Sequence, residues 1–417
     1  MKTVGIIAEY NPFHNGHKYH INMAKKESGA DCAVVLMSGN FVQRGEPSVA
    51  DKYFRTECAL KGGADLVIEL PAAYATASAP VFAHGAVSLF NGLNNIDYLA
   101  FGIEGNDINP LKNIAEILSD EPDNYRVLLK KNISEGIGIP AARQKALFEY
   151  ASSYEKGLLP YVSSLISSPN NILGIEYLKA LHATCSDIVP IGIKRVGSGY
   201  HDTEINEGYP SATALRKLIE KGNFDEFISN CDESLHDIYL KEYGKKFPVM
   251  PDDISLMLQY ALNTNKDILT EYSDWNKSIA DKIIRILSRN EILSYSDIVE
   301  QMKSRELTYT RIQRALIHII LDIKTSFMNN LFDSNYPSYA RILGFNGTGR
   351  IFLNNCRKSS EIPVIVNTAD AFKMLSQKQY ALFRKDLDAS AVYRLIINSK
   401  YGSTINDDYR SKPVILE

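Results

Sequence analysis

The stretch that decides the fold is Val4-Gly5-Ile6-Ile7-Ala8-Glu9-Tyr10-Asn11-Pro12-Phe13-His14-Asn15-Gly16-His17-Lys18-Tyr19-His20. Its apolar start, residues 4–8, predicts a buried strand, and Asn11-Pro12 ends that strand. A helical pattern begins at His17 and continues to Lys26. The stretch therefore predicts a strand, a turn and a helix, with His-Asn-Gly-His at the junction.

This junction predicts a phosphate site. A helix start offers backbone N–H groups and the positive end of the dipole, and Gly16 lets a ligand approach the backbone. His14 and His17 stand one turn apart, so we interpret both as hydrogen-bond donors that stabilise charge at a reacting phosphate. His14, His17 and His20 are spaced at i, i+3 and i+6, so metal ligation is an alternative interpretation. A third interpretation is that histidines occur in this loop by chance.

Length and composition set the class of protein. A chain of 417 residues suggests two or three domains, and 45% hydrophobic with 23% charged residues is ordinary for a globular protein. The net charge of −3 gives no general attraction for nucleic acid, so RNA contact needs a local basic face. Five scattered cysteines without Cys-x-x-Cys predict reduced thiols in the cytoplasm and no structural zinc. No signal peptide or membrane span is expected.

Strand and helix patterns alternate in residues 1–230. Helices are predicted at 51–61 and 81–90, and the further buried strands are predicted at 32–37, 65–70, 97–102 and 188–194. Apolar strands between helices predict a Rossmann-like α/β domain with a parallel sheet covered on both faces. Ligands of such sheets bind at the carboxyl ends of the strands, near the reversal of strand order. Residues 14–17, Gly102 and the residues after Ile193 fall on that edge.

Three further regions complete the predicted domain organisation. Residues of about 107–185 form a helical insertion in the first domain. Residues 231–330 are mainly helical, with amphipathic helices at 254–262, 275–287, 296–302 and 311–323. Residues 331–417 are mixed, with a short strand at 364–366.

A second motif, Pro210-Ser211-Ala212-Thr213-Ala214-Leu215-Arg216, predicts another phosphate contact. Ser211 is a good N-cap for a helix ending at Gly222, whose start would present Thr213 and Arg216 as well. An ordinary capped helix is the alternative. Asn170 or Asn171 could bind a ribose or cap a helix, and Lys194-Arg195 could bind phosphate or be structural.

These motifs carry a resemblance. His14-Asn15-Gly16-His17 after the first strand resembles the signature of the HIGH-type nucleotidyltransferases, and the second motif resembles the Ser-Ser/Thr-x-x-Arg motif of adenylyltransferases. Together with Ser38–Gly45 and Pro169–Tyr177, they make the chain resemble the bacterial tRNA(Met) cytidine acetate ligase family over essentially its whole length.

The resemblance implies a reaction and a set of contacts. ATP activates acetate as acetyl-adenylate, and the acetyl group passes to the wobble cytidine of elongator tRNA(Met), forming N4-acetylcytidine. Mg²⁺ is expected with the ATP, because it bridges phosphate oxygens. The implied ATP contacts are Ile7 to His20, Gly102, Asn170 or Asn171, and Arg195. The phosphate reading of the second motif adds Ser211, Thr213 and Arg216.

Basic residues in the C-terminal half predict a local RNA face. Lys303, Arg305, Arg311 and Arg314 cluster around a predicted helix start, and Arg350 lies in a stretch from Arg341 to Lys358 without acidic residues. Aromatic residues between them suit base stacking, although a solvated charged face is the alternative.

Two other functions are considered. A cofactor-forming adenylyltransferase of the pantetheine or nicotinate type needs no RNA platform, so the long helical half argues against it. A non-catalytic tRNA-binding module would not need the intact His-Asn-Gly-His.

Overall fold

The computed structural model describes residues 1–136, 138–165, 168–195, 209–289, 291–304 and 307–417. The strands are β1 Thr3–Ala8, β2 Cys32–Ser38, β3 Phe41–Val42, β4 Glu46–Pro47, β5 Leu66–Leu70, β6 Tyr98–Ile103, β7 Val189–Lys194, β8 Ala340–Phe345, β9 Val364–Ile365 and β10 Val414–Ile415. The helices are α1 Asn15–Ser28, α2 Lys52–Lys61, α3 Ala72–Ala75, α4 Ala79–Leu93, α5 Asn109–Asp120, α6 Asp123–Ser134, α7 Ile139–Tyr154, α8 Leu159–Leu165, α9 Pro169–Ala183, α10 Ala212–Glu220, α11 Phe224–Ser229, α12 Glu233–Glu242, α13 Ser255–Thr264, α14 Lys277–Leu287, α15 Tyr295–Met302, α16 Tyr309–Ile320, α17 Thr325–Phe332, α18 Gly347–Ser359, α19 Ala371–Met374 and α20 Gln377–Tyr401.

The main sheet has the strand order β10-β8-β5-β2-β1-β6-β7, and β9 pairs with β8. β1 pairs in parallel with β2 on one side and with β6 on the other. The chain therefore reverses its direction of travel across the sheet between β1 and β6. In open α/β sheets this switch point forms the ligand crevice.

Both faces of the sheet are buried at its central strands β2 and β5, as their apolar patterns predict, whereas the edge strand β7 is partly exposed. Val34 and Leu36 of β2 belong to the apolar core beneath α4 and α9, whereas Val35 and Met37 belong to the core beneath α1 and α2. The predicted start of α2 is confirmed as well, because the Asp51 carboxylate accepts hydrogen bonds from two amides of its first turn. Hydrophobic pattern and capping thus predict the α/β fold class correctly.

The C-terminal region is part of the same sheet. β8 pairs with β5 in antiparallel orientation, with Leu66 opposite Phe345, and β10 pairs in parallel with β8. The sheet is therefore mixed, with one antiparallel junction added to the predicted parallel strands. Residues 331–417 cover the edge that β5 would otherwise expose.

Four buried charges join this C-terminal region to the α/β domain. Lys52 of α2 contacts Glu69 of β5 at 2.9 Å and Asp408 at 3.1 Å. Arg341 of β8 contacts the same two carboxylates, at 3.1 and 3.0 Å. All four side chains are less than 5% exposed. Arg341, which lies in the basic stretch predicted to face RNA, is therefore a structural residue.

The β3–β4 hairpin links the sheet to the helical half. Its turn residue Gly45 has φ +80°, and an added Cβ there would lie 2.3 Å from the backbone N of Arg314. The Tyr295 hydroxyl donates to the Gly45 carbonyl at 2.6 Å, and the Gln313 amide donates to Glu46 at 3.0 Å. The hairpin is therefore held by α15 and α16 at its tip. Within the part of the chain described above, no helix is both long and apolar enough to cross a membrane.

Candidate active site

A cavity of about 250 Å³ opens at the carboxyl ends of β1, β6 and β7, at the switch point of the sheet. It brings together most of the residues that the sequence predicts for ATP. Those predicted residues that line it are Ile7, Ala8, Glu9, Tyr10, Asn11, His14, Gly16, His17, Tyr19, His20, Gly102, Asn170, Arg195, Ser211, Thr213 and Arg216.

His14 is the N-cap of α1. Its backbone is extended, with φ −151° and ψ 176°, and its Nδ1 accepts a hydrogen bond from the Gly16 N–H at 3.0 Å. An added Cβ on Gly16 would lie 2.8 Å from the His14 ring, so glycine is needed for this contact. Because Nδ1 accepts, a neutral His14 carries its proton on Nε2. Gly16 lines the cavity, as predicted, and its amide is engaged in orienting the His14 ring.

The three histidines are neutral at physiological pH. Burial, reinforced by Arg195 and Arg216, lowers the pKa of His14 to about 3. Burial and then Arg195 lower the pKa of His20 to about 4, and burial with the two neighbouring imidazoles holds the pKa of His17 well below its ordinary value. Neutral imidazoles donate hydrogen bonds without requiring a proton from solution.

Several polar atoms around this cavity are buried and have no hydrogen-bond partner among the described residues. They are Tyr10 Oη, Asn11 Nδ2, His17 Nδ1 and His20 Nε2. Orphaned buried polar atoms are rare in folded proteins and suit a polar ligand. The His14 and His17 rings pack 3.9 Å apart. Within the described ranges no three His, Cys, Asp or Glu side chains are arranged to hold a metal ion.

The second predicted motif meets the first across the cavity. The Arg216 guanidinium donates to the Asn11 carbonyl at 2.8 Å and to the Thr213 hydroxyl at 3.4 Å. Ser211 caps α10, as predicted, and accepts from the Ala214 amide at 3.1 Å. Residues 205 positions apart in the sequence thus form one wall.

The opposite wall is formed by the ends of β6 and β7. An added Cβ on Gly102 would lie 3.3 Å from Arg195 Cγ, so the glycine makes room for this arginine. Glu104 accepts from the Asn170 amide at 2.8 Å and lies 3.8 Å from the Arg195 guanidinium. Asn170 lines the cavity, whereas Asn171 is 1% exposed and accepts from the Glu104 N–H at 3.1 Å. Of the two candidate asparagines, Asn170 is therefore the one placed to meet a ligand.

Other residues of the predicted range serve the fold or stand away from the cavity. Phe13 is completely buried, and Lys18 forms an ion pair with Asp232. The predicted ATP contacts that do not line the cavity are Pro12, Phe13, Asn15, Lys18 and Asn171.

The sequence interpretation missed two residues of the hairpin, Gln43 and Arg44, which line the cavity next to Glu9. The Gln43 N–H donates to Glu9 Oε1 at 2.8 Å. A signal was present, because Ser38-Gly39 follows a buried strand and so lies on the ligand-binding edge. Phe101 and Tyr177, which add aromatic surface to the cavity, carry no polar motif.

The predicted RNA face needs one correction. Arg314 is 9% exposed, and its Nε lies 2.9 Å from the Asp274 carboxylate, so it is a buried structural cation. Lys303 is exposed, with Nζ 3.0 Å from the Tyr309 hydroxyl, and Arg311 is half-buried. Arg350 is exposed on α18, which packs against β2, β5 and β8. Arg305 lies outside the described residues.

A Rossmann-like sheet with this His-Asn-Gly-His helix start and a facing Ser-x-Thr-x-x-Arg helix defines the class of HIGH-type nucleotidyltransferases. A sequence model of the family HIGH Nucleotidyl Transferase matches residues 1–408. The tRNA(Met) cytidine acetate ligase of Acetivibrio thermocellus is 39% identical over 379 residues, which are 89% of this chain and 90% of that protein. The enzyme of the same name from Clostridium perfringens is 37% identical over the full length of both chains.

Solved structures agree with these relatives. The apo crystal structure of Thermotoga maritima TmcAL superposes with a TM-score of 0.92, at 31% identity and with complete coverage of both chains. The same protein bound with alpha-thio ATP superposes with a TM-score of 0.89 at the same identity and coverage. The chain therefore belongs to the tRNA(Met) cytidine acetate ligase family.

Proposed function

We propose that this protein uses ATP to activate acetate as acetyl-adenylate and transfers the acetyl group to the wobble cytidine of elongator tRNA(Met) in the cytoplasm. The observation that carries the proposal is the convergence of two phosphate motifs and three neutral histidines on one cavity at the switch point. Family membership supports the identity of the two substrates that meet there.

Activation requires a carboxylate oxygen of acetate to attack the α-phosphorus of ATP while pyrophosphate leaves. The α-phosphate oxygens gain charge in the transition state, and fixed donors at that position lower its energy. His14 Nε2–H and the ring of His17 are the donors for this charge. Arg195 and Arg216, with the hydroxyls of Ser211 and Thr213, hold the β- and γ-phosphates.

Mg²⁺ accompanies ATP in this proposal as part of the substrate. Among the described residues that line the cavity, Glu9 is the one carboxylate, so the protein supplies no dedicated cage of oxygen ligands. This donor set fits a cation that is held mainly by phosphate oxygens and water, which is the usual state of Mg²⁺ on a nucleotide.

Acetyl transfer is expected to require both ATP and free acetate, and acetyl-CoA is expected not to replace them. The reason is that the residues to which we assign the phosphates of ATP, at the start of α1 and α10, line the cavity. The test incubates tRNA(Met) with each donor in turn and measures N4-acetylcytidine by mass analysis of nucleosides. Product formed from acetyl-CoA without ATP would contradict the proposed reaction.

Charge reversal at Arg311 is expected to weaken tRNA binding and to spare acetate activation. Arg311 lies on α16, outside the ATP cavity, and phosphate contacts by arginine release counterions. The logarithm of affinity against the logarithm of salt concentration should lose a slope of about 0.9 for one lost duplex contact, or about 0.7 for a single-stranded one. The measurement is a tRNA titration of Arg311→Glu at several salt concentrations.

The matched control for this experiment is Arg285→Glu, a charge reversal on the exposed side of α14. Acetate-dependent ATP–pyrophosphate exchange without tRNA is measured on both variants. An unchanged tRNA affinity and salt slope in Arg311→Glu would place the RNA platform elsewhere on the protein.

A further inference from the structure

Glu9 is one of the predicted ATP contacts at the wall of the cavity, and the activation step makes no use of its carboxylate as an acid or a base. It is the first residue after β1, and a buried side chain holds its backbone in place. The completely buried Arg55 donates to the Glu9 carbonyl at 2.6 Å and to the Ser38 carbonyl at 3.0 Å. Arg55 therefore ties the ends of β1 and β2 together through the backbone carbonyls of Glu9 and Ser38.

The Glu9 carboxylate is also fixed from the side. Its Oε1 accepts the Gln43 N–H at 2.8 Å, and Gln43 belongs to the hairpin whose tip is held by Tyr295 and Gln313. One carboxylate oxygen is thus anchored to a backbone group that the helical half holds in place. Preorganisation of this kind is typical of groups that act on a substrate rather than of solvated surface charges.

The surroundings of Glu9 make its carboxylate a better proton acceptor. Burial raises its pKa, while Arg44, the Gln43 N–H and Arg216 oppose this change and Glu46 adds to it. The charged and titratable groups that face it come from the hairpin, α2, α9 and α10, and they are Arg44, Glu46, Arg55, Tyr177 and Arg216. The net effect raises the pKa of Glu9 above its ordinary value of 4.5.

Glu9 also lies beside the part of the cavity lined by the hairpin, whose tip contacts the helical half. Lys194 is the last residue of β7 and Arg195 follows it, and β7 is separated from β1 by β6. Glu9 and the hairpin occupy the β2 side, and the tip of the hairpin contacts α16, the helix that carries Arg311. A cytidine presented by tRNA bound to that half would reach the cavity on the Glu9 side.

We propose that Glu9 is the general base of the acetyl-transfer step, which rests on the function proposed above. The exocyclic amine of cytidine attacks the acetyl carbonyl, and a new C–N bond forms. The bond between the acetyl carbon and the AMP oxygen breaks, and AMP leaves with the electron pair. The proton lost from the amine passes to the Glu9 carboxylate, so atoms and charge balance.

Glu9→Gln is the variant that separates this role from a structural one. Glutamine has nearly the same shape and keeps an oxygen that can accept the Gln43 N–H, but it cannot take the proton. In single-turnover reactions of purified variant with acetyl-adenylate and tRNA(Met), transfer is expected to slow by about 10²–10⁴-fold, the usual contribution of a general base. Acetate-dependent ATP–pyrophosphate exchange measures any loss of ATP binding in the same variant, and transfer should fall at least about tenfold further than exchange, because activation releases no proton to this group.

The pH profile gives a second readout. In the wild-type protein the transfer rate should rise with pH through the raised pKa of Glu9, and this limb should vanish in Glu9→Gln. A limb that persists unchanged in the variant belongs to the cytosine ring and overturns the assignment. Glu9→Asp keeps the base but moves it back by one methylene, so it should recover part of the transfer rate and the acidic limb.

The remaining outcomes also decide the question. If exchange and transfer fall in parallel and recover at higher Mg²⁺, Glu9 is a metal ligand and the proposal is wrong. If the rates of both steps fall equally and the unfolding temperature is lowered, the role of Glu9 is structural and the general-base proposal is wrong as well. If the wild-type protein shows no acetate-dependent exchange, the proposed function itself fails, which is distinct from any result on the variant.

Discussion

Replacing His17 with alanine is expected to slow acetate-dependent ATP–pyrophosphate exchange by about 10²–10³-fold, the usual loss for one transition-state donor. His17 lies in the wall of the cavity, and its pKa well below the ordinary value leaves the ring neutral. The loss should appear in the rate of exchange at saturating ATP. The reason is that the hydrogen bond from His17 strengthens as negative charge develops on the α-phosphate oxygens in the transition state. Exchange kinetics over a range of ATP and acetate concentrations provide the measurement.

The structure changes the controls that this experiment needs. The His17 ring packs against Tyr10 and His14, with centroids 4.8 and 3.9 Å away, so its removal also leaves space. His17→Asn keeps a side-chain donor and should recover part of the rate. His182→Ala, at the exposed end of α9, is the matched histidine control. Near-normal exchange in His17→Ala would refute the catalytic assignment.

Replacing Arg341 with methionine is expected to lower the free energy of unfolding by about 3–5 kcal/mol, because it leaves Glu69 and Asp408 buried beside one remaining cation. Lys52 alone cannot neutralise two carboxylates that are both less than 5% exposed. Urea unfolding of the purified protein measures the loss. Arg410→Met is the control, since its exposed pair with Asp407 should contribute about 0–1 kcal/mol.

The pH dependence of this difference has a defined sign. Burial alone would raise the pKa of Asp408. Lys52 and Arg341 together outweigh this effect and hold that pKa below its ordinary value. A carboxylate with a lowered pKa stabilises the fold above its unfolded pKa, about 4 for aspartate, and loses this contribution as pH falls. The advantage of wild type over Arg341→Met should therefore narrow in acid. A constant difference from neutral to acidic pH would contradict this account of the cluster.

The sequence predicts the α/β half because hydrophobic pattern and helix capping involve residues that are close together in the chain. β2 is predicted at 32–37 and observed at Cys32–Ser38, and Asp51 caps α2 as its position indicates. The two phosphate motifs also meet in one cavity, since parallel strands end at a common edge.

The failures have a common physical origin in contacts between distant parts of the chain. β8 joins β5 across some 275 positions, and no property of residues 340–345 alone specifies that partner. The sequence around Arg314 is that of a surface charge, because nothing in it indicates that Asp274 is the partner of this arginine. The hairpin consists of two-residue strands, which give no detectable alternation, so only the position of Ser38-Gly39 after a buried strand points to Gln43 and Arg44 as cavity residues.

The antiparallel junction between β5 and β8 has a consequence for synthesis on the ribosome. Strands β1, β2, β5, β6 and β7 emerge before residue 200, whereas β8 ends at Phe345 and β10 at Ile415. Until then the nascent chain carries an open strand edge, and Lys52 and Glu69 can pair with each other but lack Asp408 and Arg341. Open edges pair readily with other chains. The sheet of the nucleotide-binding half is therefore completed only by strands that are translated long after its own, so cotranslational folding cannot finish it domain by domain.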